Sequence, residues 1–443
     1  MALTWRAAAL MAAGVLPVLL WPSAGTVIAW TLLVILVVCA DIAFAASAHR
    51  VEVQRRVPAS VRLGEPATSE LIVRNVGGRR LRGVVRDAWP PAAGARTASL
   101  PGGPGRHAVD LPRHEAVRLA TTLRPIRRGD RFAGGVTIRT VGPLGIAGRQ
   151  HTLPVPGRLR VLPEFSSRKH LPSRLARLRE LDGRAAVQVR GEGTEFDSLR
   201  EYVVGDDVRS IDWRATARRG DVVVRTWRPE RDRRVLIVLD TGRTSAARVG
   251  AIGSQIGAPR VDASIEAALL LSALAGRAGD RVELVAYDRA VRARVQGAAG
   301  PRLMPAMAEA LSVVGPVLLE TDWPGVVTQV RERMSQRALV VLLTTLDPAA
   351  VENGLLPVID QLTRRHQVVV ASVADEEVAE MSRGRESSHE VYDAAAAARG
   401  DLERVAATTM LRRYGAEVVD ALPDDLAPRL ADTYLALKAA GRL

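Results

Sequence analysis

The sequence predicts a mixed α/β protein that combines a helical hairpin in the membrane, a β-sandwich and a mostly parallel, doubly wound α/β domain. Three observations support this prediction. An uncharged apolar run lies near the N-terminus, short alternating segments separated by glycine and proline turns fill residues 49–165, and strands alternate with helices in residues 235–443. Residues 166–234 form a connector that is dense in glycine, arginine and carboxylates.

The apolar run extends from Ala7 to Ala40 without a charged residue. As one helix it would measure roughly 51 Å, whereas a hydrocarbon core is about 30 Å thick. Because residues 21–25 contain a proline and a glycine, we predict a hairpin over residues 1–48 with spans at about 5–20 and 25–44. Arginines flank the hairpin and are absent from its turn, so the positive-inside rule predicts a two-span protein of the cell membrane with cytoplasmic soluble domains. A secretory signal peptide with Ala7–Leu20 as its apolar region is the alternative.

Several classes of protein are excluded by residues that the chain lacks. Its one cysteine, Cys39, excludes an intrachain disulfide and a thiolate zinc cluster. Neither of its two lysines, Lys169 and Lys438, stands in the G-K-[ST] of a nucleotide-binding P-loop. None of the seven histidines forms H-E-x-x-H, and there is no G-x-S-x-G nucleophile motif. Aromatic residues make up 4% of the chain and form no stacking pattern, which disfavours nucleic-acid binding.

The α/β domain, residues 235–443, begins with the buried strand Val235–Leu239. The pattern then predicts further strands at Val282–Tyr287, Ala338–Leu343, Gln367–Val373 and Ala416–Ala421. It predicts helices at Val261–Ala278, Pro305–Val314, Trp323–Gln336, Val351–Arg365, His389–Tyr414 and Leu426–Ala440. A further helix at Leu171–Leu181 belongs to the connector.

Ligands of doubly wound sheets bind at the carboxyl ends of the strands, which selects two loops. Asp240–Thr244 follows the first strand, and Thr344–Asp347 follows a later one. Carboxylate and hydroxyl oxygens are ligands that suit Mg²⁺. The alternative is a polar loop that caps the next helix, because Asp and Thr are common N-caps.

The stretch Gly191–Arg219 reads GEGTEFDSLREYVVGDDVRSIDWRATARR. It resembles the signature of the bacterial "domain of unknown function 58" family, and turns such as Gly142–Gly145 extend the resemblance towards the N-terminus. The resemblance implies a von Willebrand factor A-like fold for residues 235–443 and a MoxR-type AAA+ ATPase as the partner. It implies no particular reaction.

The A-like fold implies a metal-ion-dependent adhesion site built on D-x-S-x-S, a second-loop threonine and a third-loop aspartate. Asp240 matches the first position and Thr244 the last serine, while Gly242 replaces the middle serine. Thr321 is the expected second-loop threonine. Thr345 stands where the third-loop aspartate is expected, and Asp347 follows two residues later. The predicted metal residues are therefore Asp240, Thr244, Thr321 and Asp347, in a degenerate site for Mg²⁺.

The signature itself interleaves carboxylates with arginines, and arginine forks pair with carboxylates. We interpret this as a structural network. A metal or catalytic cluster on Asp206, Asp207 and Asp212, or a docking surface for a partner, are the alternatives.

Charge is unevenly distributed: residues 49–165 carry a net charge of +13 and residues 235–443 a net charge of −4. Because anionic lipids attract basic residues near a membrane, the basic domain is a candidate for contact with the lipid surface. The expected function is a membrane-anchored, non-enzymatic interaction protein. A metal-dependent hydrolase that uses the signature aspartates is the alternative.

Overall fold

The computed structural model describes residues 2–96, 105–188, 195–204, 206–228, 233–250 and 257–443. The chain divides into two compact units, Met1–Glu164 and Phe165–Leu443, and is a mixed α/β protein with β-sheets in both. The start of the signature, residues 191–194, lies outside the described residues.

The N-terminal apolar region forms helices at Trp5–Ala12, Val15–Leu20 and Ala24–Phe44. Within the described residues, Ala24–Phe44 is the helix that is long and apolar enough to cross a membrane. The region expected to be a first span contains two short helices instead. They pack against the long helix, since the Trp30 indole donates a hydrogen bond to the Leu10 carbonyl oxygen at 3.3 Å.

The other elements of the first unit are mainly strands, as the alternating segments predict. A five-stranded sheet has the spatial order Ala2–Leu3, Ala147–Leu153, Val136–Val141, Leu81–Asp87 and Arg106–Leu111. A four-stranded sheet has the order Val51–Arg56, Ala67–Asn75, Ala116–Leu123 and Ala95–Arg96, and a three-stranded one the order Ser60–Arg62, Arg158–Leu162 and Gly129–Phe132. The first two sheets share a buried core in which Leu71 and Val73 pack with Val85 and Ile138.

A buried ion pair lies inside this unit. Asp87 accepts hydrogen bonds from Arg55 at 2.6 Å, from the Ser69 hydroxyl at 2.8 Å and from the Trp89 indole at 3.0 Å. The Arg55 and Asp87 side chains are 1% and 0% exposed. Because strands from both sheets contribute to the pair, it fixes their relative position.

The turn Gly142–Gly145 binds the end of the long apolar helix. Buried Asp41, in the last turn of that helix, accepts hydrogen bonds at 2.8 Å from the backbone N–H groups of Leu144, Ile146 and Ala147. A Cβ atom on Gly142 would lie 2.2 Å from the Asp41 Oδ1 atom. Glycine is therefore required for this approach of helix and turn.

The second unit contains a six-stranded sheet with helices on both faces. Its strands have the order Val291–Val295, Arg281–Tyr287, Arg234–Asp240, Leu339–Leu343, Gln367–Val373 and Glu417–Ala421; the first is antiparallel and the others are parallel. Side chains alternate along the strands, so Val235 and Ile237 enter one buried core while Leu236 and Val238 enter the other.

The helices of this unit form the two cores. The main ones are Leu171–Gln188, Arg260–Arg277, Leu303–Ser312, Trp323–Arg333, Leu356–Thr363, Ser388–Arg413 and Pro423–Ala439. Leu171–Gln188 begins in the predicted connector, yet its Leu178 is buried in the first of these cores. The described part of the signature forms the strand Glu195–Glu201 and the short helix Trp213–Arg219, and the strand pairs in antiparallel orientation with Val223–Arg228, which follows the signature.

Candidate functional site

Asp240 is the last residue of a central strand, and its carboxylate collects polar groups from three loops. The Oδ1 atom accepts hydrogen bonds from the Thr321 hydroxyl at 2.5 Å and from the Gly242 N–H at 2.8 Å. The Oδ2 atom accepts one from the Thr344 hydroxyl at 2.6 Å. Thr344 directly follows the adjacent parallel strand, so the parallel register brings it to Asp240. We call Asp240, Thr321, Thr344 and Thr345 the oxygen cluster.

Burial of the Asp240 side chain raises the pKa of its carboxyl group. The two threonine hydroxyls and the Gly242 N–H oppose this increase, and the charge of nearby Asp288 adds to it. Asp240 is 5% exposed, and no arginine or lysine of the described residues forms an ion pair with it. A buried carboxylate held by neutral donors alone has capacity for a cation.

A cleft of about 320 Å³ opens at this cluster. Its polar end includes Asp240, Thr321, Thr344 and Thr345, and its apolar end includes Trp323, Val351, Leu355 and Val358. The charged side chains of Arg243, Glu320 and Asp322 also line the cleft. Thr345 is 5% exposed, and its hydroxyl has no hydrogen-bond partner among the described residues. Such a buried unpaired hydroxyl costs free energy unless a ligand or water pairs with it.

The structure brings three of the four predicted metal residues to the cleft. Thr321 contacts Asp240 directly, and half-buried Thr244 lines the cleft. Asp347 lies outside it: the residue is exposed, and its carboxylate accepts a hydrogen bond from the Ala350 N–H at 3.1 Å, which caps the helix Pro348–Ala350. Asp347 is therefore a helix N-cap, which is the alternative interpretation of this loop.

Gly242, at the position where the family resemblance implies a serine, leaves no space for a side chain. A Cβ atom at this position would lie 2.1 Å from the Thr321 Oγ1 atom and 3.0 Å from the Leu319 carbonyl oxygen. A serine could enter only if Thr321 moved away from Asp240. The glycine and the direct contact between Thr321 and Asp240 therefore depend on each other.

A second buried carboxylate, Asp288, lies behind the cluster and is fully paired. It accepts hydrogen bonds from the Thr241 hydroxyl at 3.0 Å and from two Arg292 nitrogens at 2.6 and 3.0 Å. Burial would raise the pKa of Asp288, but the bonds from Arg292, backbone N–H groups and Thr241 lower it overall. Asp288 thus supports the loop and has no capacity for a further ligand.

The three signature aspartates occupy separate structural positions. Asp206 pairs with Arg200, and Asp207 accepts a hydrogen bond from the Arg209 N–H at 2.9 Å. Asp212 caps the helix Trp213–Arg219 and pairs with Arg225 at 2.8 Å. The Ala215 N–H and the Arg225 guanidinium lower the pKa of Asp212. Within the described ranges, no group of three or more His, Cys, Asp or Glu side chains could hold a metal ion.

Fold and site together define a mixed α/β protein with an oxygen-lined cleft at the carboxyl ends of a mostly parallel sheet. Its described residues include one helix that is long and apolar enough to cross a membrane. The model of the family described as "Protein of unknown function DUF58" matches residues 198–417. The chain belongs to this family. The match covers the signature from Ser198 onward and most of the six-stranded sheet. No curated protein is similar enough to count as a match.

Solved structures resemble about a quarter of the chain. A cohesin module from Clostridium perfringens ATCC13124 is 14% identical over 25% of this chain and 96% of the module, with a TM-score of 0.19. The CARDB domain of the PF1109 protein from Pyrococcus furiosus is 18% identical over 25% of this chain and 94% of the domain, with a TM-score of 0.17. Escherichia coli alpha-2-macroglobulin is 17% identical over 27% of this chain and 18% of its own, with a TM-score of 0.19. Scores this low support no argument about function.

Proposed function

We propose that this protein is a membrane-anchored, non-enzymatic interaction protein whose second unit docks a partner at the cleft beside Asp240. The observation that carries the proposal is the oxygen cluster itself. Within the described residues, the buried Asp240 carboxylate has no cationic partner and the Thr345 hydroxyl has no hydrogen-bond partner, and both residues line the same cleft. A neighbouring apolar end offers contact area for a partner side chain.

The six-stranded sheet with helices on both faces supports a von Willebrand factor A-like assignment for residues 235–443. In that assignment the cleft corresponds to a degenerate metal-ion-dependent adhesion site. The partner that family resemblance suggests is a MoxR-type AAA+ ATPase.

The donor set of the cleft suits Mg²⁺ chemically, because it consists of hard oxygen atoms. Asp240 would supply the charge, and the hydroxyls of Thr244, Thr321 and Thr345 would supply neutral oxygens. With one carboxylate in the set, the ion would be held weakly and would gain from a carboxylate of the partner. Its chemical contribution would be to bridge the two proteins.

The hydrolase alternative receives no support from the signature aspartates. Each of Asp206, Asp207 and Asp212 is engaged by an arginine, a backbone N–H group or both. We therefore assign the signature a structural role in the second unit.

The anchor in this proposal is the N-terminal hairpin. Trp5–Leu20 would cross the membrane first, and the long helix Ala24–Phe44 would cross back. Both soluble units would then lie in the cytoplasm. The charge pattern of the flanking arginines supports this orientation.

Copurification from solubilised membranes tests the docking site with a matched pair of variants. We expect wild-type protein and the Asp347→Ala variant to retain the MoxR-type ATPase, because Asp347 lies outside the cleft. Asp240→Ala removes the buried carboxylate, so we expect loss of most of the bound ATPase, as for truncation of a buried charged contact. Quantitative mass spectrometry of the eluates gives the readout. Equal recovery of the ATPase with Asp240→Ala and with wild type would contradict the proposal.

A further inference from the structure

The signature segment exposes apolar side chains that its own fold leaves uncovered. Val204 is 95% exposed, Trp213 68%, Val208 64% and Val203 60%. Val203 and Val204 follow the strand Glu195–Glu201. Val208 lies in the short 3-10 helix Val208–Ser210, and Trp213 begins the helix Trp213–Arg219. We call these four residues the apolar tip.

The acidic and the basic side chains of this segment differ in the partners that they contact. The carboxylates of Asp206, Asp207 and Asp212 accept hydrogen bonds from backbone N–H groups of the segment. Exposed arginines, in contrast, form no ion pair with any described residue; they are Arg209, Arg214, Arg218 and Arg219. Glu201, Asp207 and Asp221 are also exposed in this segment, so the surface that remains is apolar with a net positive charge.

We propose that the apolar tip and these four arginines form a membrane-surface contact that binds anionic lipid headgroups. Tryptophan with an exposed ring favours the interface between hydrocarbon and water. Arginines near an anionic leaflet are attracted to its surface potential, and apolar side chains that enter the headgroup region add to this attraction. Exposed apolar side chains, in the same segment as arginines that form no ion pair with a described residue, fit such a surface.

The lipid surface is favoured over an acidic protein because the same chain carries a helix suited to a membrane. This inference rests on the proposed anchoring. Once the chain is anchored, the signature is tethered close to the bilayer and its effective concentration there is high. A small contact surface is then sufficient for binding. An acidic protein would have to bind from solution. The contact would also orient the second unit relative to the bilayer.

A fluorescent probe on the apolar tip tests the contact in the full chain. Because Cys39 is the one cysteine, Cys39→Ser combined with Val204→Cys allows a single environment-sensitive label. The labelled protein is reconstituted in nanodiscs of phosphatidylcholine, with or without phosphatidylglycerol. In discs with phosphatidylglycerol we expect a blue-shifted emission that brominated lipid quenches. Salt at about 1 M should reverse both effects by screening.

Matched variants separate a lipid contact from other causes. A label at exposed Val391, on the long helix of the second unit, should show neither the shift nor the quenching. Arg214→Gln, Arg218→Gln and Arg219→Gln together should abolish the quenching at position 204. Replacement by glutamine of three exposed arginines elsewhere, Arg365, Arg385 and Arg413, should leave it unchanged.

The possible results discriminate between the two proposals. A chain that enters nanodiscs but whose label at position 204 is not quenched by brominated lipid would overturn the lipid contact alone. A blue shift without lipid quenching, which appears only when a protein partner is added, would overturn it in favour of protein docking. A chain that fails to enter nanodiscs would overturn both the anchoring and the contact.

Discussion

Replacement of Asp87 by alanine is expected to lower the free energy of unfolding of the first unit by about 3–5 kcal/mol. The substitution leaves the guanidinium of Arg55 buried without its counterion, since both side chains are almost fully inaccessible. The Ser69 hydroxyl and the Trp89 indole lose their acceptor at the same time. Chemical denaturation of the purified chain, followed by a probe in the first unit, measures the effect.

Asp110→Ala is the matched control for this prediction. Asp110 also pairs with an arginine, Arg80, at 2.6 Å, but the side chain of Asp110 is 47% exposed and that of Arg80 is 54% exposed. Exposed ion pairs are screened by solvent and contribute little to stability, so we expect little change. Equal losses for Asp87→Ala and Asp110→Ala would show that the Asp87 network does not hold the two sheets together.

Asp41→Ala is expected to release the turn Gly142–Gly145 from the long apolar helix, at a cost of about 3 kcal/mol or more. Three backbone N–H groups would lose a charged acceptor that each contacts at 2.8 Å. Amide hydrogen exchange in nanodiscs reports on these groups individually. We expect exchange at Leu144, Ile146 and Ala147 to become roughly a hundredfold faster.

Cys39→Ala, an exposed position on the same helix, is the control and should leave the exchange of these amides unchanged. Unchanged exchange in Asp41→Ala as well would mean that the carboxylate does not hold the turn. The prediction gives the glycine-rich turn a physical role, because it joins the apolar helix to the β-sheets of the first unit.

Elements with strong hydrophobic patterns could be predicted from the sequence to within a few residues. Gln367–Val373 is a run of buried residues and occurs with the predicted bounds. Val291–Val295 could not be predicted, because three of its five residues are exposed and it pairs only at the edge of the sheet. The predicted helix Val351–Arg365 begins instead with a π-helical turn at Val351–Leu355 and continues as an α-helix at Leu356–Thr363.

The site could be predicted only in part. The position of Asp240 at the end of a buried strand is visible in the sequence, and family resemblance pointed to Thr321 across 81 positions. Thr344 carries no signal of its own, because a threonine after a strand is common; only the parallel register shows that it reaches Asp240. Spacing placed Asp347 near the site, whereas local capping of the next helix determines its orientation. The apolar end of the cleft, which includes Trp323, arises from side chains far apart in the chain.

The central claim, that the cleft beside Asp240 binds the partner, is tested most directly by a photocrosslinking amino acid at Asn353, on the exposed edge of the cleft. Exposed Tyr392, on the helix Ser388–Arg413, provides the control position. We expect the MoxR-type ATPase to crosslink to position 353, not to position 392, and the crosslink to disappear when Asp240→Ala is combined with the probe. A crosslink to the same ATPase from position 392 alone, or one at position 353 that persists in Asp240→Ala, would contradict the account.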